Sequence, residues 1–171
     1  MKIVDYIRGA QDTLFSFEIL PPLKGTSIGS IYTGIDPLME FKPKFIDVTY
    51  HREDYVLRER ATGGYDRVAT RKRPGTVGIC AALMNKYHVE AVPHLICGGF
   101  NKEETENALI DLAFLGVDNV LALRGDNIKG ESAFIPEPGG NRNALDLVFQ
   151  IKNMNQGVYL DDELKNAQPT N

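Results

Sequence analysis

AVPHLICGGFNKEETENALIDLAFLGVDNVLALR, residues 91–124, is the stretch that decides the fold. Ala91–Ile96 is a short apolar run and reads as a strand. Asn101 can cap the helix that follows, Glu104 can reach back to the cap amide, and Leu109, Leu112 and Ala113 recur at helical spacing. Gly116 ends that helix, and after the link Gly116-Val117-Asp118 the run Asn119–Arg124 reads as a second strand. A short strand, a crossover helix and another short strand are the grammar of parallel sheet, because parallel neighbours cannot be joined by a tight turn. Pro93 has no N–H to offer a ladder, which counts against a central position for its strand.

The same grammar extends outward. Phe15–Leu20 and Phe45–Tyr50 are strand-like, and Thr76–Tyr87 carries a helical stripe of Ile79, Cys80, Leu83 and Met84. Short helices are expected over 1–8 and 143–153, with a weaker helical pattern over 36–41. Gly63-Gly64 and Gly139-Gly140 read as turn chemistry in loops. Within the strands, Phe15, Phe17 and Ile19 alternate with Ser16 and Glu18, and Ile46 and Val48 alternate with Asp47 and Thr49. Leu121 and Leu123 are likewise expected to face the outer helices, leaving Ala122 and Arg124 on the opposite side.

An open sheet covered on both sides would be apolar on both faces, so one polar face argues for an α/β barrel of the TIM type. Eight-stranded barrels of this kind take about 250 residues. A chain of 171 residues with four clear strands is therefore expected to supply the first four β/α units, a single incomplete barrel domain over 1–171. Whether it is a fragment or a natural truncation, its two unpaired edges predict instability alone or reliance on partner chains.

The composition, 43% hydrophobic and 25% charged with a net charge of −4, is that of an ordinary soluble protein. Arg71-Lys72-Arg73 is too short a basic block to argue for nucleic acid and reads as a solvated lead-in to a helix. Cys80 and Cys97 have no metal-ligand spacing and are expected as small apolar residues in a reducing cytosol. The first residues lack the apolar core of a signal peptide, and Ile79–Met84 is far short of the roughly 20 residues of a membrane span. A cytoplasmic protein with neither nucleic-acid nor membrane partners is expected.

Chemistry is expected at the carboxyl ends of the strands. Glu18 stands near the end of the first, before Pro21-Pro22; a lone carboxylate in an apolar strand should have a raised pKa and serve as an acid. Thr49 and Tyr50 end the second strand with a hydroxyl and an aromatic plate, and His94 lies on the inward face of the third. Arg124-Gly125-Asp126 follows the fourth: a planar fork for phosphate or carboxylate, a permissive backbone position and an acceptor. Taken singly, each has a structural alternative. Their equivalent places in successive units favour a shared site. No glycine-rich phosphate loop, metal cluster or Ser/His/Asp elbow is present in the sequence.

Five segments, Ser16–Pro22, Asp47–Tyr50, Pro93–Cys97, Ala122–Asp126 and Ala144–Val148, resemble in their order the amino-terminal half of the methylenetetrahydrofolate reductases. The resemblance implies an eight-stranded flavin barrel in which NADH or NADPH reduces FAD. Reduced flavin then converts 5,10-methylenetetrahydrofolate to 5-methyltetrahydrofolate for methionine synthesis. It implies Glu18 as the acid that opens the folate ring and Asp126 as the carboxylate near flavin and pterin. It also implies FAD contacts from Thr49, Tyr50, His94, Arg124, Gly125, Asp126 and Ala144, and a homo-oligomer is expected. The sequence departs from the pattern at His51-Arg52-Glu53, where small residues are usual, and at Asn143, where an aromatic is usual. This stretch alone is expected to bind flavin poorly and turn over little. Another flavin barrel enzyme, or a non-catalytic half-barrel serving as a binding or assembly module, are the alternatives.

Overall fold

Four parallel strands, β1 (Ser16–Ile19), β2 (Phe45–Val48), β5 (Glu90–Ile96) and β6 (Leu121–Leu123), lie side by side in chain order in the computed structural model. The structure describes residues 1–128, 131–165 and 167–170. Each new parallel strand is added to the same edge, with none of the order reversal of a doubly wound sheet, which is how one half of a β/α barrel is built. Helices α3 (Thr76–Tyr87), α4 (Lys102–Phe114) and α5 (Ala144–Met154) follow β2, β5 and β6, and α1 (Ile3–Gly9) leads in. Among the described residues no helix is long and apolar enough to cross a membrane.

The register sorts the side chains into two faces. Glu18 is paired with Asp47, and Ile19 with Val48; His94 is paired with Leu121, and Leu95 with Ala122. Ile46, Val48 and Leu95 join Leu83 of α3, Leu112 of α4 and Leu147 of α5 in one core, most of them wholly out of solvent. Burying each such side chain contributes about 1.5–3 kcal/mol. The opposite, concave face carries Glu18, Asp47, His94 and Ile96.

Leu121 and Leu123 fall on this concave face, 39% and 37% exposed, while Ala122 turns to the core. That reverses the outward placement expected of the two leucines. Their bulk was an ambiguous guide, because barrel interiors are themselves filled by branched apolar residues. Pro93 also sits in an interior strand. The Glu90 amide donates to Lys44 on the β2 side, so by alternation the nitrogen of Pro93 faces β6, whose pairing begins one residue later at His94. The proline thus interrupts no ladder.

Two elements were not expected. Residues after β2 form an antiparallel ribbon, β3 (Asp54–Glu59) with β4 (Tyr65–Thr70), whose turn uses Gly63 and Gly64 at φ of 85° and 86°. Both faces of the ribbon are wet, so the sequence shows no apolar alternation, and Leu57 and Tyr65 are 69% and 63% exposed. Arg71 and Lys72 are not a solvated lead-in; they pair with Glu53 and Asp54 across the base of the ribbon, and Arg73 donates to the Pro21 carbonyl. Helix α2 (Ile28–Ile35) is poor in helix formers, with Gly29, Gly34 and several β-branched residues, and burial of Ile31 and Ile35 holds it. The segment Asp36–Phe41 is a 3-10 helix.

The capping box on α4 is present as expected: the Glu104 amide donates to Asn101 Oδ1 at 2.9 Å, and the Asn101 amide donates to Glu104 Oε2 at 2.8 Å. Cys80 and Cys97 are buried and free. Burial pushes the Cys80 thiol up to about 12, and that of Cys97 upward as well. Against a free cysteine near 8.5, Cys80 has roughly a thousandfold less thiolate. Neither thiol should react with an aromatic disulfide reagent at pH 8 in the folded chain, and both should react at once in denaturant; rapid reaction without denaturant would contradict the packing described.

Candidate active site

The carboxyl ends of the strands open into a cleft of about 690 Å³ lined by Thr49, Tyr50, His94, Arg124, Gly125 and Asp126, among others. Chain topology puts them there: each follows or ends a parallel strand, and all four strands point the same way. Glu18 joins the group through two neighbours. Its Oε2 lies 3.8 Å from His94 Nε2, and its Oε1 accepts a 3.4 Å bond from Thr49 Oγ1. The Thr49 amide and hydroxyl both donate to the Ile19 carbonyl at 3.0 Å, which fixes the threonine at the β1–β2 junction.

His94 is 4% exposed, and its Nε2 has no hydrogen-bond partner among the described residues. Asp47 Oδ1 stands 3.8 Å from the same nitrogen, as near as Glu18. Glu18 itself is 62% exposed, so the apolar surroundings expected for it are not found. They belong to its register partner Asp47, whose side chain is only 21% exposed. Burial there holds the Asp47 carboxyl above the usual carboxylate range; proximity to Glu18 adds to this and His94 opposes it. Asp47 was not singled out from sequence, although its parity with Thr49 placed it on the polar face.

Tyr50 packs its ring 5.1 Å from that of Phe100, and burial raises its phenol while Arg71 opposes the rise. The Arg124 guanidinium lies 5.3 Å over the Phe134 ring, with Nε donating to the Gly125 carbonyl at 3.2 Å. Gly125 has φ 85°, and a Cβ there would stand 3.2 Å from Ile96 Cβ. Asp126 is exposed at the mouth. Ala144 does not line the cleft; it is the first residue of α5. Before it, Asn143 caps that helix by accepting from the Asp146 amide at 3.0 Å, a use an aromatic could not serve.

Arg52, also missed from sequence, crosses from the end of β2 to the loops after β5 and β6. It is 13% exposed, pairs with Glu137 at 2.9 Å and lies against Gly98 and Gly99, where a Cβ would come within 3.3–3.4 Å of it. Its Nε and Nη1 are buried without partners among the described residues. With Lys72, Arg73 and Arg124 it gives the cleft four permanent cations, against Asp54 and Asp126 among the lining residues. Such an excess of N–H donors suits an anion such as a diphosphate.

Comparison with known proteins agrees with this arrangement. The family model for methylenetetrahydrofolate reductase matches residues 2–164. An Arabidopsis thaliana protein named methylenetetrahydrofolate reductase (NADH) 1 is 32% identical over 155 residues, 89% of this chain and 24% of that protein. The 5,10-methylenetetrahydrofolate reductase of Pectobacterium carotovorum is 30% identical over 139 residues, 80% of this chain and 39% of that protein. The Escherichia coli enzyme of the same name is 31% identical over 111 residues, 65% and 32% of the two chains. The chain thus spans between about a quarter and two fifths of the length of these relatives. With a parallel half-barrel, its strand-end cleft and a match over nearly all its residues, the chain belongs to the methylenetetrahydrofolate reductase family.

Proposed function

We propose that this chain contributes to a reductase that uses NADH or NADPH and FAD to convert 5,10-methylenetetrahydrofolate to 5-methyltetrahydrofolate, in the one-carbon metabolism that feeds methionine synthesis. The observation that carries this reading is the meeting of Glu18, Thr49, His94 and the Arg124-Gly125-Asp126 turn at one end of a parallel half-barrel. As part of the same proposal we assign the protein to the cytoplasm, a reading supported by its two unbridged thiols.

The residues present fit a flavin dinucleotide. The orphaned N–H groups of Arg52 and the forks of Arg73 and Arg124 suit its diphosphate; Tyr50 offers a flat apolar plate, and Gly125 keeps the cleft wall free of a side chain. Thr49, Tyr50, His94, Arg124, Gly125 and Asp126 would hold it. When bound, FAD accepts a hydride from the nicotinamide and delivers it to the one-carbon bridge of the folate.

The chain's own side chains handle protons and position. Glu18 projects from the concave face with Thr49 fixing one carboxyl oxygen, so the other can give a proton to the ring nitrogen that leaves the one-carbon bridge. Asp126, exposed at the mouth, places a negative charge where the resulting cationic iminium gains stabilisation. Arg124 is steadied by Phe134 and can orient an anionic group without moving the turn that carries Asp126.

The experiment is spectroscopic. Purified chain incubated with FAD is expected to turn yellow, bleach on addition of NADH or NADPH and regain colour with methylenetetrahydrofolate, slowly for a chain with four of the barrel's strands. Protein that takes up FAD and bleaches, yet is not re-oxidised by the folate any faster than by buffer, would point to a different flavin enzyme.

A further inference from the structure

Glu18, Asp47 and His94 are three titratable groups on three neighbouring strands, and the roles above use only two of them. Glu18 and Asp47 are register partners on one face of a parallel pair, so two carboxylates are held side by side. Like charges at that spacing resist ionising together. His94 sits against both, with its Nε2 at 3.8 Å from each, buried and without a hydrogen-bond partner among the described residues. An unpaired buried imidazole nitrogen is costly in isolation, and much less so when it carries a proton between two carboxylates.

We propose that these three residues form one proton-sharing unit, in which Asp47 is a positioning residue that keeps His94 protonated and His94 recharges Glu18. The proposal rests on the reading of Glu18 as the acid. Exposed carboxylates are almost wholly ionised at neutral pH, so an acid at the position of Glu18 needs a proton source beside it. Imidazolium is the side-chain source suited to neutral pH. Glu18 gives its proton to the leaving nitrogen of the substrate. The proton on His94 Nε2 then passes to Glu18 Oε2, leaving neutral imidazole beside ionised Asp47. His94 is recharged from water by the reverse route, through exposed Glu18. No electrons move in these steps, and the count of protons balances over a cycle.

The surroundings favour this division of labour. Besides Glu18 on β1 and Asp47 on β2, the charged groups that share the cleft with His94 are Arg52, Asp54, Lys72, Arg73, Arg124 and Asp126. Lys72 is committed to Asp54, Arg52 to Glu137 and Arg73 to the Pro21 carbonyl. The near side of β6 presents only Leu121 and Leu123. Of the two carboxylates, Asp47 is the shielded one and Glu18 the exposed one, as expected if the first holds the imidazole and the second meets substrate. The raised carboxyl of Asp47 follows from the same burial, and it is the His94 cation that opposes the rise.

The test follows the imidazole directly. The full chain, labelled with ¹⁵N-histidine, has three histidines, and the His94 signal is identified by its loss in His94→Gln. Asp47→Asn is expected to lower the titration midpoint of His94 by about one unit, in line with removal of an adjacent opposite charge, while His51 and His88 stay put. Asp47→Glu should restore it. Should Asp47→Asn fail to fold, Glu18→Gln at the exposed site is expected to lower the same midpoint. A His94 midpoint unmoved by either substitution overturns the proposal. FAD uptake by the unsubstituted chain is scored separately: uptake with an uncoupled His94 removes the relay alone, whereas a coupled His94 without uptake removes the catalytic use assigned to it.

Discussion

Glu18→Gln is expected to separate the two halves of the reaction. In the flavin-loaded protein, bleaching by NADH should proceed at the unsubstituted rate, because nicotinamide oxidation needs no proton from Glu18. Re-oxidation by methylenetetrahydrofolate should fall by about 10²–10⁴, the usual contribution of a positioned general acid. The substitution keeps the shape and the neutral form's hydrogen bond to Thr49, and the side chain is 62% exposed, so the fold has little reason to respond. Stopped-flow absorbance of each step decides it. Equal loss of both steps would mean that Glu18 holds the flavin and is not the acid.

Gly125→Ala is expected to damage stability and binding together. The residue has φ 85°, a region costing a side-chain-bearing residue about 1–2 kcal/mol. The new methyl would also meet Ile96 Cβ at 3.2 Å, on the strand that carries His94. A total of about 2 kcal/mol lowers the melting midpoint of a domain this size by roughly 4–8 °C. The turn also sets Arg124 and Asp126, so FAD affinity should fall more than the stability loss alone accounts for. A calorimetric scan and a flavin titration measure the two. An unchanged midpoint would show that the turn relaxes without cost and that the strand-end geometry is less constrained than described.

The parallel half-barrel was legible because its signals are local. Asn101 and Glu104 cap α4, Gly116 stops it, and β2 shows its alternation within four residues. What was not legible depended on partners distant in sequence. Leu121 and Leu123 are placed by their register with β5, and no pattern inside a three-residue strand distinguishes a helix-facing leucine from one that fills a barrel. The β3–β4 ribbon buries little on either face, so it lacks the apolar alternation that reveals a strand, and Gly63-Gly64 showed only the turn. Helix α2 opposes its own residue propensities and exists because Ile31 and Ile35 reach the core.

The site divides in the same way. Residues at strand ends could be named from position alone, and Thr49, Tyr50, His94, Arg124, Gly125 and Asp126 do meet in one cleft. Ala144 followed from the family pattern, and the structure leaves it at a helix start outside the cleft. Asp47 was passed over because burial, not type, distinguishes it from Glu18, and burial is set by the neighbouring strands. Arg52 stands in a segment without periodicity, and its contacts with Glu137, Gly98 and Gly99 join loops far apart in sequence.

The central claim is that the strand-end cleft of this chain holds a flavin dinucleotide by its diphosphate. Its most direct test is a fluorescence titration of the purified chain with FAD and, in parallel, with riboflavin, which has the same ring but no phosphate. The account predicts saturable FAD binding, weak for a half-barrel, and markedly weaker binding of riboflavin. Equal affinity for the two, or no saturable uptake of FAD, would contradict it.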